Sequence, residues 1–339
     1  MKIFKKEEQI TFEDVLLEPQ ISGIRSRKDV SIATYLTNLT LSIPIIVAPM
    51  DTIMGPKMAN FIGDKGGLGI VHRYLSIEQQ VQQIKEISCS IKAGAVGSTG
   101  DFFERAQNLV DNGVSVLCVD VAHGHHLSVA EAVSKLKKTF PKVHIIAGNV
   151  ATAEGYDFLR NAGADSVRVG IGPSSVCTTR VQTGHGIPQL SAILEIAQIK
   201  RPETGLIADG GIKTSGDAVK ALAAGADCLM MGSFFAGTDE TPGEIIENDG
   251  RFFKQFRGMA SREAQEDWKG SSKSLEGVAT EVKYRGSAEP ILNDFLVNLT
   301  SGFSYSGARN LMSLQRNAVL VRVSHSSYKE GTPYVLEKK

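Results

Sequence analysis

Paired cysteines, surplus charge and long hydrophobic runs are all missing from this chain. Its four cysteines, Cys89, Cys118, Cys177 and Cys228, are widely separated and form no C-x-x-C pair, which excludes a zinc site or redox dithiol of that spacing and fits a reducing compartment. Lysine plus arginine and aspartate plus glutamate number 37 each, so no global field draws the chain to nucleic acid, and a small ligand is the expected partner. No apolar run approaches the roughly 20 residues of a membrane span, and MKIFKKEEQI has no apolar stretch behind its lysines. A cytoplasmic protein that engages neither nucleic acid nor membrane is expected. There is no linker or composition break to mark a second domain, so residues 1–339 read as one unit, and no G-x-G-x-x-G turn follows the first strand.

What is there is a repeat of short apolar segments between amphipathic ones. Eight end in glycine or polar residues: IPIIVAPMD near Asp51, GLGIVH at His72, AGAVG at Gly97, VSVLCVDVAHG near Gly124, VHIIAGNV at Val150, DSVRVGIG at Gly172, GLIADGG at Gly211 and DCLMMGS at Ser233. IEQQVQQIKEI, DFFERAQNLV, VAEAVSKLKKTF, AEGYDFLRNAG and GDAVKALAAG are long enough for crossover helices, so the sheet is parallel. Gly113, Gly163 and Gly225 suit left-handed helix ends that run straight into strands. Eight units predict an α/β fold, a (β/α)8 TIM barrel, over an open doubly wound sheet. Residues 234–286 read as a long polar segment without periodicity, either a lid or disordered, and EPILNDFLVNLTSG and SGARNLMSLQ as C-terminal helices packed on the barrel.

In such a barrel the chemistry lies at the C-terminal strand ends. That places Asp51, His72, Asp120 with His123, Asn149, the Cys177 loop, Asp209 with Gly210 and Gly211, and Gly232 with Ser233 around one mouth. Asp51 or Asp120 alone serves equally well as a helix cap. His123, His125 and His126 have a metal-like composition, but no further ligand follows at a recognisable spacing. Cys118 and Cys228 sit in apolar runs as small hydrophobes. Cys177 instead follows a glycine-rich turn and precedes two threonines and an arginine, which favours a reactive thiol over a structural one. The glycine-opened turns after the seventh and eighth strands favour a phosphate held by the N–H groups of Gly211, Gly232 and Ser233 with the Ser175 hydroxyl, against ordinary tight turns.

TFEDVLLEP, PMDT, GGLGIVHR, VDVAHGH, AGNV, VGIGPSSVCTTR, IADGGI, GSFFAG and RGMAS follow one another in an order that closely resembles the IMP dehydrogenase/GMP reductase family nearly end to end. The resemblance implies a homotetrameric barrel in which Cys177 attacks C2 of a purine nucleoside monophosphate and Thr179 and the flap residue Glu276 move protons. It implies substrate contacts at Ser175, Asp209, Gly210, Gly211, Gly232, Ser233, Gly258, Met259, Lys273 and Gly277. Nicotinamide-cofactor contacts are implied at Arg73, Asp120, Val121, Ala122, Gly172 and residues 301–305. A potassium ion on the backbone carbonyls of Gly172, Ser174 and Cys177 is implied as well. The family's CBS pair is absent, since HRYLSIEQQ runs directly onward.

Two branches share this chemistry. GMP reductases release ammonia from the cysteine adduct and use NADPH to form IMP; IMP dehydrogenases oxidise IMP with NAD and hydrolyse the adduct to XMP. VAPMDTIMG, NVATAE and DGGIKTSGD resemble dehydrogenases. The flap, about residues 259–286, is short and holds no Arg-Tyr dipeptide between Met259 and Glu276, and EGVATEVKYRG resembles reductases. The expectation is a GMP reductase with NADPH, the alternatives being a CBS-less IMP dehydrogenase with NAD and a nucleotide-binding barrel without turnover. Three positions depart from the family: Phe256 for a phosphate-binding tyrosine, Ser174 for a glycine, and Lys273 for a reductase arginine, which loses the planar fork.

Overall fold

A computed structural model describes residues 8–273 and 275–331. Eight parallel strands, β1 (Ile45–Val47), β2 (Leu68–Val71), β3 (Ala93–Val96), β4 (Val116–Asp120), β5 (His144–Val150), β6 (Ser166–Val169), β7 (Gly205–Asp209) and β8 (Cys228–Met231), follow one another around a closed barrel. Closure is made by β8 against β1, with Leu229, Met230 and Met231 beside Ile45, Ile46 and Val47. Helices α1 (Pro56–Asp64), α2 (Ile77–Glu86), α3 (Phe102–Asp111), α4 (Leu127–Thr139), α5 (Ala153–Asn161), α6 (Gln189–Ala197), α7 (Ser215–Ala223) and α8 (Ala288–Tyr305) surround it. This is the expected (β/α)8 TIM barrel.

The strands read as apolar runs because both of their faces are buried. Ile45, Val47, Leu117 and Ile145 pack outward on the helices, whereas Ile46, Ile70, Ala95, Cys118, Ile207 and Met230 fill the interior. A hairpin, Thr34–Leu36 with Leu39–Leu41, adds Leu36, Leu39 and Leu41 to that interior cluster. Thr37 Oγ1 donates to the carbonyls of Asp165 and Glu203 ahead of β6 and β7, so the hairpin closes the N-terminal end of the barrel and leaves the C-terminal end as the open mouth. Gly113, Gly163 and Gly225 have φ of 90°, 105° and 117° and turn α3, α5 and α7 into the next strands. Ser76, Thr152 and Thr214 accept N-cap hydrogen bonds at α2, α5 and α7.

The described residues of the segment expected to be aperiodic include regular structure. They form an antiparallel sheet of β9 (Ile246–Asn248), β10 (Arg251–Arg257) and β11 (Ala279–Lys283), and between β10 and β11 lies a helix, Arg262–Lys269. The alternation in RFFKQFR was hidden because its inward face carries Lys254 beside Phe256, both buried. Lys254 Nζ donates to the carbonyls of Thr238 and Thr241 at 3.1 and 2.6 Å, which satisfies a cation that composition assigns to the surface. Phe256 belongs to the hydrophobic core. Among the described residues no helix is long and apolar enough to cross a membrane.

Candidate active site

The loop after β6 carries Cys177, and the short helix Thr179–Thr183 follows it directly. Gly170, at φ 149°, lets this loop leave the barrel against β7: a Cβ there would lie 2.0 Å from the Asp209 carbonyl oxygen. The flap then meets the loop by backbone pairing. Thr178 N donates to Glu276 O at 2.8 Å and Val278 N to Val176 O at 3.0 Å, which sets Cys177 opposite Gly277. Gly258 permits the approach, since a Cβ would fall 2.9 Å from Val176 O.

This pairing aligns three side chains. Thr179 Oγ1 donates to Glu276 Oε2 at 2.9 Å and lies 3.1 Å from Cys177 Sγ. A threonine hydroxyl has one proton, and Glu276 receives it, so the thiol S–H donates to the Thr179 lone pair. The arrangement offers a proton path from Cys177 through Thr179 to Glu276. Cys118 and Cys228 have no such path, and burial pushes their thiols up, Cys118 to about 12.

Below the thiol, sequence reasoning missed Arg168. It lies on β6 with every neighbour in the strand buried, and its Nε and Nη2 donate to Asp209 Oδ2 at 3.1 and 2.8 Å while Nη1 reaches Asp120 Oδ1. Burial opposes the charge, but Asp209 and Asp120 outweigh it and hold the guanidinium well above its ordinary value. Asn149 Nδ2 adds a bond to Asp209 Oδ2 at 2.8 Å. The signal was present: an arginine inside an apolar parallel strand must be paired with carboxylates.

At the rim, Arg257 Nε and Nη2 donate to Asp51 Oδ2 at 3.0 and 2.6 Å, fastening β10 to the β1–α1 loop. Asp51 Oδ1, His72 Nδ1 and Asn149 Oδ1 are buried without a hydrogen-bond partner among the described residues. Burial lowers the His72 pKa to about 4 against the pull of Asp51 and Asp120.

These groups border a cavity of about 440 Å³, within the range of small-ligand sites, about 300–1,000 Å³. It brings together Cys177, Thr179, Glu276, Asp209, Gly258 and Met259 with Arg73, Asp120, Val121, Ala122, Gly172 and Ser174. Ser175, Gly210, Gly211, Gly232, Ser233, Gly277 and Lys273 stand outside that lining. Gly210 and Gly211 abut Pro173 of the cysteine loop, and Gly232 abuts Met50 on the cavity wall. Lys273 is exposed, its backbone N–H donating to Gln265 Oε1 at 3.1 Å. Residues 301–305 lie on α8, away from this lining. Of the histidine cluster, His126 caps α4 by accepting from Ser128 N, and among the described residues no group of three or more His, Cys, Asp or Glu is placed to hold a metal ion. A second cavity of about 670 Å³ adjoins the first and shares Arg73, Tyr74 and Val121 with it.

Comparison with known proteins gives this geometry a family. The IMP dehydrogenase / GMP reductase domain matches residues 9–334. Inosine-5′-monophosphate dehydrogenase of Nitrosopumilus maritimus is 32% identical over 467 aligned positions, covering 96% of this chain and 98% of the relative. The dehydrogenase of Borreliella burgdorferi is 35% identical over 395 positions, covering 96% and 97%. Both alignments are longer than the 339 residues of this chain, so both relatives carry residues with no counterpart here. A crystal structure of a cysteine-to-alanine variant of GMP reductase from Trypanosoma brucei in complex with guanosine 5′-monophosphate superposes with a TM-score of 0.93 at 29% identity over 98% of each chain. The chain belongs to the IMP dehydrogenase/GMP reductase family of purine-nucleotide oxidoreductases.

Proposed function

We propose that this protein is a GMP reductase that converts GMP to IMP and ammonia through a covalent adduct at purine C2. The observation that carries the reading is the Cys177–Thr179–Glu276 chain, made by a short flap that holds no Arg-Tyr pair. Cys177 Sγ bonds to C2, and its proton passes through Thr179 to Glu276. Returned along the same path, a proton lets the C2 amine leave as ammonia. A bound NADPH would supply hydride to C2, and scission of the C–S bond would return Cys177 as the thiolate. Asp209 is oriented by Arg168 and Asn149 through Oδ2, so its Oδ1 is left for a ligand hydroxyl. Arg73, Asp120, Val121, Ala122 and Gly172 border the cavity beside the thiol, which suits a nicotinamide ring there. The family resemblance offers the carbonyls of Gly172, Ser174 and Cys177 for potassium, and that of Ser174 also accepts from Cys177 N at 3.2 Å. The Gly210–Gly211 turn against Pro173 suits the phosphate, for which the family resemblance also offers Gly232, Ser233 and Ser175.

The names of the curated relatives favour a second reading, an IMP dehydrogenase forming XMP with NAD. One experiment separates the two: purified protein with GMP and NADPH, followed by loss of nicotinamide absorbance and by IMP formation. XMP formed from IMP and NAD, with no NADPH consumed, would overturn the reductase.

A further inference from the structure

We propose that Trp268 is a positioning residue for the Cys177 site: its stack on Tyr74 latches the flap helix to the barrel and thereby holds the flap in the backbone register that aligns Glu276 with Thr179. The proposal rests on the reading of Cys177 as the reactive thiol. The helix Arg262–Lys269 buries only Ala264, so apolar packing alone fastens it weakly. Trp268 and Tyr74, which lies between β2 and α2, have ring centroids 4.0 Å apart and planes within 15°. The Arg73 guanidinium lies 5.3 Å from the Trp268 ring and 5.4 Å from the Tyr74 ring, its Nε donating to the Asp120 carbonyl at 3.2 Å. Among the described residues the helix has one further charged tie outside itself, Arg257 of β10 to Asp267 at 2.6 Å, but Asp267 is 67% exposed and the pair is screened. The aromatic stack under a cation is therefore the principal fastening.

The link from this stack towards Glu276 is short in sequence, and its described part is fixed by hydrogen bonds. Gln265, on the same helix, donates to the Ala260 and Ser261 carbonyls at 3.1 and 3.2 Å and accepts from Lys273 N at 3.1 Å. Gly270, at φ 68°, ends the helix so that the chain doubles back to this contact. Glu276 follows three residues later and accepts from the Thr179 hydroxyl at 2.9 Å. A displacement of the helix by an ångström breaks a bond of that length. Arg73 borders both cavities, so the stack stands where they join.

The test is the alkylation rate of Cys177 by iodoacetamide, read by peptide mass spectrometry in the intact protein, which requires no substrate. Releasing the latch in Trp268→Ala uncovers the thiol, and alkylation runs roughly three- to tenfold faster; Trp268→Phe, which retains a ring, restores the slow rate. Tyr74→Ala gives the same acceleration from the barrel side. It also shifts the emission of Trp268, the only tryptophan, to longer wavelength. Cys118 and Cys228, both fully buried, stay unreacted and certify the fold. In the turnover assay Trp268→Ala lowers kcat while nucleotide KM is nearly unchanged. Unaltered Cys177 alkylation in both alanine variants, or failure of the phenylalanine to restore it, overturns the latch. A wild-type protein inactive with both substrate pairs would instead overturn the functional reading and leave the alkylation result standing.

Discussion

Thr179 and Glu276 are 97 positions apart in the chain, yet the Thr179 hydroxyl donates to the Glu276 carboxyl at 2.9 Å. The bond exists because flap and cysteine loop pair through their backbones on either side of Cys177. A side-chain relay is thus built on main-chain register, which fixes it more tightly than two mobile side chains could.

If that relay moves the protons, its members act in series. Glu276→Gln and Thr179→Val each lower kcat about 10²- to 10⁴-fold, and the double variant is little worse than the poorer single one. Steady-state kinetics on the four proteins decides this; multiplicative losses would place the two residues on separate paths.

Cys177→Ala removes turnover with either substrate pair, while GMP affinity by titration calorimetry stays close to that of the parent. Loss of affinity equal to loss of rate would make the thiol a binding group and not a nucleophile.

Arg168 is 6% exposed between two carboxylates. Asp209→Ala leaves that cation with Asp120 alone and destabilises the fold by about 3–5 kcal/mol. Urea unfolding at neutral pH reads this as a lower midpoint at constant m.

His72 and His144 are 4% and 2% exposed, and burial lowers each pKa to about 4. Both are neutral in the fold and protonate near the ordinary 6.5 when unfolded, so the unfolded chain binds more protons between those values. Stability is complete above about pH 6.5 and falls as pH drops towards 4, by about 2 kcal/mol for each histidine by pH 5. Urea midpoints at pH 7 and pH 5 measure it. His144→Gln, which replaces a ring bonded to Asn38 and Ser166, removes about half of the dependence.

Much of the barrel was legible because both faces of each strand are buried, which writes the strands as apolar runs punctuated by glycine. The sheet that carries the flap was not legible: Lys254 interrupts the apolar face of β10, and the Thr238 and Thr241 carbonyls make a lysine acceptable there. Arg168 was passed over because its partners lie on β4 and β7, one strand over on one side and two on the other.

The sequence by itself determined eight strands in order, a thiol in a glycine turn after the sixth, and Thr179 two residues beyond it, because periodicity and short spacing are local properties of a chain. Tertiary structure decided which distant groups share the mouth: Glu276 on Thr179, Arg168 between Asp120 and Asp209, Asp51 on Arg257, and Trp268 on Tyr74. Those pairings depend on barrel closure and on the register of flap against loop, which no local pattern encodes.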